Sequence, residues 1–222
     1  NYYAVVLYRL LIALLLYTIC RFIFFGLNTS LFPNIALHEW INILKGGFRF
    51  DVAALFYFNA LILVMSFAPI PNNWRFNKFY QKIIKILFYI LNGFAIFLNL
   101  IDTIFYRFTL RRTTLGVLKE FKNEQNGSQM FLSFISDYWF MVLIFFALTF
   151  LMVYLYNLIE PVQKTVKNNL KYYIAATIIL LITVPIAIYG IRGDFGHSTR
   201  PITISDAGQY VQQPNNLYLV LN

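Results

Sequence analysis

The sequence predicts an all-α integral membrane protein, a bundle of five transmembrane helices with an interfacial amphipathic helix and an extracytoplasmic C-terminal linker. Three observations carry that reading. Hydrophobic residues make up 59% of the chain and aromatics 19%, against only 12% charged, a balance outside the range of soluble globular domains. Apolar runs of roughly 20 residues, the length that crosses a ~30 Å hydrocarbon core, recur five times. The formal charge of +9 sits in short connections between those runs rather than on one polar face, which points to a membrane surface and away from nucleic acid.

The spans are expected at about 2–27, 51–70, 84–106, 133–159 and 171–191, making residues 1–191 the membrane domain. The first run is interrupted by Arg9 and Arg21. Bulky "FFGLNTSLF" follows it where a signal peptide would show small residues at a cleavage site, so it reads as a retained helix. Because the chain opens at Asn1 rather than Met, residues before it are expected. Cys20 is the one cysteine, so no internal disulfide is possible.

In the first connection, "NIALHEWINILKGG" places Leu37, Trp40, Ile41 and Leu44 on one helical face and His38, Glu39, Asn42 and Lys45 on the other. This predicts a short helix lying in the interface, ended by Gly46 and Gly47 in a left-handed cap. The second connection, Pro71 to Lys85, is basic and carries no acid. The third, Arg107 to Asp137, combines the cluster "YRFTLRRTT" with a short helix through Leu118 and Phe121 and a turn at Asn126 and Gly127. The fourth, Glu160 to Lys171, is rich in Lys and begins with Pro161. In the fifth span, Pro185 removes one helix hydrogen bond and predicts a bend.

Counts of Lys plus Arg do not separate the two sides, but the type of base does. The second and fourth connections hold six Lys and one Arg, while Arg49, Arg107, Arg111, Arg112, Arg192 and Arg200 fall on the opposite side. Lys suits the cytoplasmic surface, and the planar fork of Arg suits phosphate. The N-terminus is therefore expected inside and the C-terminus outside a cytoplasmic membrane.

Arg21, Asp51 and Asp102 lie at or near the ends of spans on that outer side. Charges at such depth pair or face the bundle interior. They are expected to form an intramembrane charge clamp. The neighbouring Arg49, Arg107, Arg111, Arg112 and Arg192 are expected to bind an anionic lipid head group.

Other motifs carry less. The tripeptide Arg192-Gly-Asp is too short to imply integrin binding, and Asp194, His197 and Asp206 match no metal-site spacing, so no metal site is expected in this chain. Asn28 and Asn126 open glycosylation acceptor patterns. No phosphate loop, HExxH motif or catalytic triad order occurs, and no catalytic residue is assigned. Residues 192–222 read as a juxtamembrane linker ending in the strand-like "LYLVLN", leading to a domain beyond this sequence.

Five spans, "GGFRFDVAALFYFNA" leading into the second, "IDTIFYRFTLRRTT" leaving the third and "IRGDFGHSTRPITISDAGQYVQQPNNLYLVLN" after the fifth together resemble the membrane domain of the lipoteichoic acid synthase-like phosphoglycerol transferases, in the alkaline phosphatase/sulfatase superfamily. Members often carry a second Gly where this chain has Asp194. The resemblance implies an extracytoplasmic catalytic domain that uses a Thr nucleophile and a divalent metal, commonly manganese, to move a phospho-head group from a membrane phospholipid. Neither the nucleophile nor the metal ligands fall within these residues, so the 222-residue chain is expected to be inactive alone and to work with that missing catalytic domain. A non-catalytic subunit of a larger assembly and a transporter or channel subunit remain open alternatives at this level.

Overall fold

The computed structural model describes residues 2–31, 37–109, 137–161 and 170–192. Those residues are overwhelmingly helical and contain no strand. Among the described residues, five helices are long and apolar enough to cross a membrane: α1 (Tyr2–Leu27), α2 (Leu37–Phe67), α4 (Lys78–Thr109), α5 (Trp139–Leu158) and α6 (Leu170–Arg192). A 3-10 turn, Thr29–Leu31, follows α1, and a one-turn helix, α3 (Asn72–Arg75), joins α2 to α4. The all-α membrane bundle expected from composition is therefore what the chain forms.

The helices alternate in direction, so the bundle has two ends. The N-terminal end holds the starts of α1, α4 and α6 and the ends of α2 and α5. The C-terminal end holds the other five helix termini. Contacts fix this assignment. Arg75, between α2 and α4, lies over the rings of Tyr2, Tyr3 and Tyr172. At the opposite end Phe24 of α1 meets Tyr106 of α4.

The central unit is α1, α2 and α4, each packed on the other two, with α5 laid across α1 and α4, and α6 docked along α2. The core runs through Ala13, Leu16, Cys20, Phe88, Ile96, Met152 and Tyr156, all nearly inaccessible. Apolar residues such as Leu7, Leu11 and Leu15 on α1, Phe146 and Phe150 on α5 and Leu181 and Ile182 on α6 remain exposed. In a membrane protein that outward apolar surface faces lipid, where burial offers no hydrophobic gain over the acyl chains. The α2–α6 contact is correspondingly steric. At Gly190 of α6 the ring of Phe56 occupies the space a Cβ would need.

Two boundaries differ from the sequence reading. The amphipathic stretch beginning at Leu37 is helical, but it does not stop at Gly46 and Gly47. It continues without a break into the second span, and both glycines are buried inside α2. A left-handed cap there would strand backbone N–H and C=O groups at the membrane boundary, which costs more than the roughly 1 kcal/mol per Gly lost in helix propensity. At 31 residues, α2 is about 46 Å long at 1.5 Å per residue, well beyond the hydrocarbon thickness.

The second difference is at the start of α4. The basic connection is expected to run to Lys85, yet the helix begins at Lys78. Asn77 explains this: its Oδ1 accepts the backbone N–H of Phe79 at 2.8 Å, an N-cap that starts the helix six residues early. Lys78, Lys82 and Lys85 thereby fall on one face of the first two turns rather than in a loop. The last helix is continuous through Pro185. The expected linker from residue 193 onward, and the short helix through Leu118 and Phe121, lie outside the described residues.

Candidate functional site

At the end of the bundle that the sequence marked, the described residues include a well-formed ion pair. Arg21, in the last two turns of α1, holds Asp51 of α2 through two parallel hydrogen bonds, Nη1 to Oδ2 at 2.9 Å and Nη2 to Oδ1 at 3.0 Å. Both side chains are about 10% exposed. Thr18, one turn earlier on α1, reaches the same Oδ2 at 3.4 Å while donating to the carbonyl of Leu14 at 3.0 Å. A bidentate pair with a supporting hydroxyl leaves little of either charge unsatisfied, the condition under which a buried ion pair is tolerated.

The other residues marked in the sequence stand around it. Asp102 is half-buried near the C-terminal end of α4, Arg49 is half-buried two residues before Asp51 on α2, and Arg107 is exposed in the last turn of α4. Arg111 and Arg112 lie outside the described residues, as does the side chain of Arg192, the last residue of α6. Asn28, the acceptor of the first glycosylation pattern, is fully buried. Its Nδ2 donates to the carbonyls of Phe24 at 2.9 Å and of Thr103 on α4 at 3.1 Å. That amide joins helices and is not presented for modification.

Midway along the bundle is a group the sequence reading did not single out. Asn59 of α2 and Asn92 of α4 exchange side-chain hydrogen bonds at 2.9 and 3.1 Å, and Tyr17 of α1 donates to the same Asn92 Oδ1 at 2.8 Å. Each Asn also donates to its own helix, to the carbonyls of Leu55 and Phe88. All three residues are essentially inaccessible. Every donor and acceptor used here has a partner, so the group ties the three central helices together.

The N-terminal end is built differently. Arg75 is 3% exposed; its Nη1 donates to the Tyr3 hydroxyl at 2.9 Å and its Nη2 to the carbonyl of Ala68 at 2.7 Å. Gln81 donates to the Arg75 carbonyl, Tyr80 to that of Met65 and Tyr172 to that of Ile70. Arg75 is thus a pin through the ends of α1, α2 and α6.

Arg9 of α1 is 7% exposed, and its guanidinium carbon lies 3.9 Å from the centre of the Tyr156 ring of α5. Lys85 of α4 lies 6.0 Å from the same ring centre and 5.9 Å from that of Tyr89. Its Nζ donates to Asn157 Oδ1 at 2.6 Å. Two cations therefore approach one aromatic ring. Among the described residues no hydrogen bond or ion pair reaches Arg9, and the buried Tyr156 hydroxyl has no hydrogen-bond partner.

Among the described residues no three His, Cys, Asp or Glu side chains converge as a metal-binding group would. No family model, curated protein or solved structure matches the chain.

Proposed function

We propose that this bundle is the membrane anchor and lipid-presenting part of a phospho-head-group transferase, of the phosphoglycerol or phosphoethanolamine type, acting on membrane phospholipid. In this reading the C-terminal end faces the outside of the cytoplasmic membrane, and a sulfatase-like catalytic domain with a divalent metal follows residue 222. The reading rests on the sequence resemblance together with one observation: Arg49 and Arg107 stand toward the same end of the bundle as the C-terminal end of α6.

The physical case is one of positioning. Phosphoryl transfer is assisted chiefly by holding the reacting groups in line and by stabilising charge. A lipid donor presented under the catalytic domain needs its phosphate fixed at head-group depth. Arginine forks at helix ends suit that, each charged contact contributing ~1.5–3 kcal/mol. The Arg21–Asp51 pair would hold the last turns of α1 against the middle of α2 beneath them.

The test is to replace Arg49, Arg107, Arg111 and Arg112 singly by Gln in the full-length protein and measure phospho-head-group transfer from phosphatidylglycerol and from phosphatidylethanolamine. Losses of roughly tenfold to a hundredfold in at least one variant, with folding intact, are expected from one lost charged contact. Unchanged turnover in all four, or a reading frame that encodes no metal-binding αβα domain after Asn222, would overturn the proposal.

A further inference from the structure

The opposite end of the bundle carries a second feature, independent of the reading above. Charge is divided unevenly between the two ends. Among the described residues, the N-terminal end carries six Lys and Arg and a single acid, Glu160, whereas the C-terminal end carries five Lys and Arg and four acids, Glu39, Asp51, Asp102 and Asp137. The one buried ion pair among the described residues is at the C-terminal end. Excess positive charge is thus concentrated where carboxylates are scarcest.

Within that end, Arg9 is the group whose needs are least met. A guanidinium that is nine-tenths buried inside a membrane bundle is costly unless a counter-charge or several acceptors serve it. The Tyr156 ring face supplies a cation–π contact at 3.9 Å, which offsets part of the cost but satisfies no N–H. Arg9 Nε is buried without a hydrogen-bond partner, and so is Tyr156 Oη, which offers a donor of its own. Of the adjacent polar groups, the Tyr89 hydroxyl is likewise buried without a hydrogen-bond partner, and the others are committed. Tyr8 donates to the Leu155 carbonyl at 3.0 Å, and Asn157 donates to that of Val153 while accepting from Lys85.

Lys85 makes the shortage worse. It brings a second cation toward the same ring, partly exposed and held in place by Asn157. Two cations approaching one ring repel each other; the exposed Glu160 lies close enough to attract Arg9 but forms no ion pair with it, and an anion between the two cations relieves the repulsion that remains. The depth is also informative. Tyr156 lies in the last turn of α5, two residues before its end at Leu158, and Arg9 is roughly 10 Å along α1 from Tyr2 at 1.5 Å per residue. Both groups therefore lie toward the N-terminal end of the bundle and not at its middle.

We propose that Arg9, Lys85 and Tyr156 form a binding site for a phosphate-bearing anion at the N-terminal end of the bundle, between α1, α4 and α5. Arg9 supplies the planar fork, Lys85 the accessible point charge at the mouth, and the Tyr156 hydroxyl a third donor. The phosphate is that of an anionic phospholipid whose head group sits at the N-terminal end of the bundle.

The experiment uses the full-length protein in nanodiscs of phosphatidylcholine alone or of equal parts phosphatidylcholine and phosphatidylglycerol. Thermal stability and lipid retention by native mass spectrometry are read for wild type, Arg9→Gln, Lys85→Gln and Tyr156→Phe. Phosphatidylglycerol is expected to stabilise wild type, and its retention is expected to weaken about tenfold in Lys85→Gln and in Arg9→Gln and less in Tyr156→Phe. Comparing variants in the same membranes cancels any lipid bound at the other end. Lys85 is partly exposed, so its variant decides the matter even where Arg9→Gln fails to fold. A parallel series adds inorganic phosphate to the phosphatidylcholine discs. Stabilisation by phosphate but not by phosphatidylglycerol, lost in Lys85→Gln, would keep the anion site but overturn the lipid as its source. Equal phosphatidylglycerol retention in wild type, Lys85→Gln and Arg9→Gln, with no phosphate effect, would overturn the site itself.

Discussion

Arg9 and Arg21 lie on one helix, about three turns apart, and both are buried, yet their surroundings differ in kind. Arg21 closes a bidentate pair with Asp51 that Thr18 supports. Arg9 has the face of Tyr156, a second cation nearby, and no hydrogen bond or ion pair among the described residues. The first arrangement is complete without any other molecule. The second leaves Arg9 Nε and the Tyr156 hydroxyl without hydrogen-bond partners, which the proposed anion would supply. Burial of a charge therefore does not by itself distinguish structure from function in a membrane; the state of its remaining donors does.

The largest expected effect is on the complete pair. Asp51→Ala leaves the Arg21 guanidinium buried without its counter-charge and should cost ~3–5 kcal/mol in unfolding from detergent micelles. A loss below about 1 kcal/mol, the ordinary value for an exposed pair, would mean that the clamp is effectively solvated and the comparison with Arg9 fails.

The next effect separates packing from charge. Gly190→Val drives a side chain into the ring of Phe56 on α2 and should destabilise by ~1–3 kcal/mol, the usual cost of overpacking. Gly93→Ala, where no heavy atom lies within 4 Å of the new Cβ, should be neutral or stabilising by up to ~1 kcal/mol through helix propensity. Limited proteolysis and thermal unfolding would rank the two. Equal effects would show that the α2–α6 contact is looser than its geometry implies.

A smaller effect belongs to the neutral network. Asn92→Leu removes the shared acceptor of Tyr17 and Asn59 and should cost ~0.6–2 kcal/mol, the range for interhelical hydrogen bonds in membranes. A cost as large as that of Asp51→Ala would place the main structural clamp at mid-membrane instead of at the Arg21 end.

Much of the architecture was legible in the sequence because the physics is one-dimensional. A spanning helix needs a length of apolar chain, and five such lengths are present. Boundaries were harder to read. Gly46 and Gly47 suggested a stop, but a membrane boundary enforces backbone hydrogen bonding more strongly than propensity opposes it. Lys78, Lys82 and Lys85 suggested a loop, but Asn77 caps a helix that long basic side chains tolerate by extending toward water.

At the sites, opposite charges near the same end of adjacent spans could be seen in Arg21 and Asp51, whereas which of them meet depends on helix rotation. Asn59 and Asn92 were passed over because an uncharged amide in an apolar run hardly disturbs the pattern. Arg9 registered only as an interruption of the first span. Its significance depends on Tyr156 and Lys85, which come from two other helices and are distant in sequence.

The central claim is that Arg9 serves an absent anion while Arg21 serves the fold. Replacing each by Met and measuring the melting temperature of the full-length protein in phosphatidylcholine and in mixed phosphatidylcholine–phosphatidylglycerol nanodiscs tests it directly. An apolar replacement of a buried charge that has no ion-pair partner removes its desolvation cost, whereas removing one partner of a pair strands the other. Arg21→Met should therefore lower the melting temperature in both membranes, with the increment due to phosphatidylglycerol intact. Arg9→Met should match wild type in phosphatidylcholine and lose that increment. The opposite result, Arg9→Met as damaging as Arg21→Met in phosphatidylcholine with the increment preserved, would contradict the account.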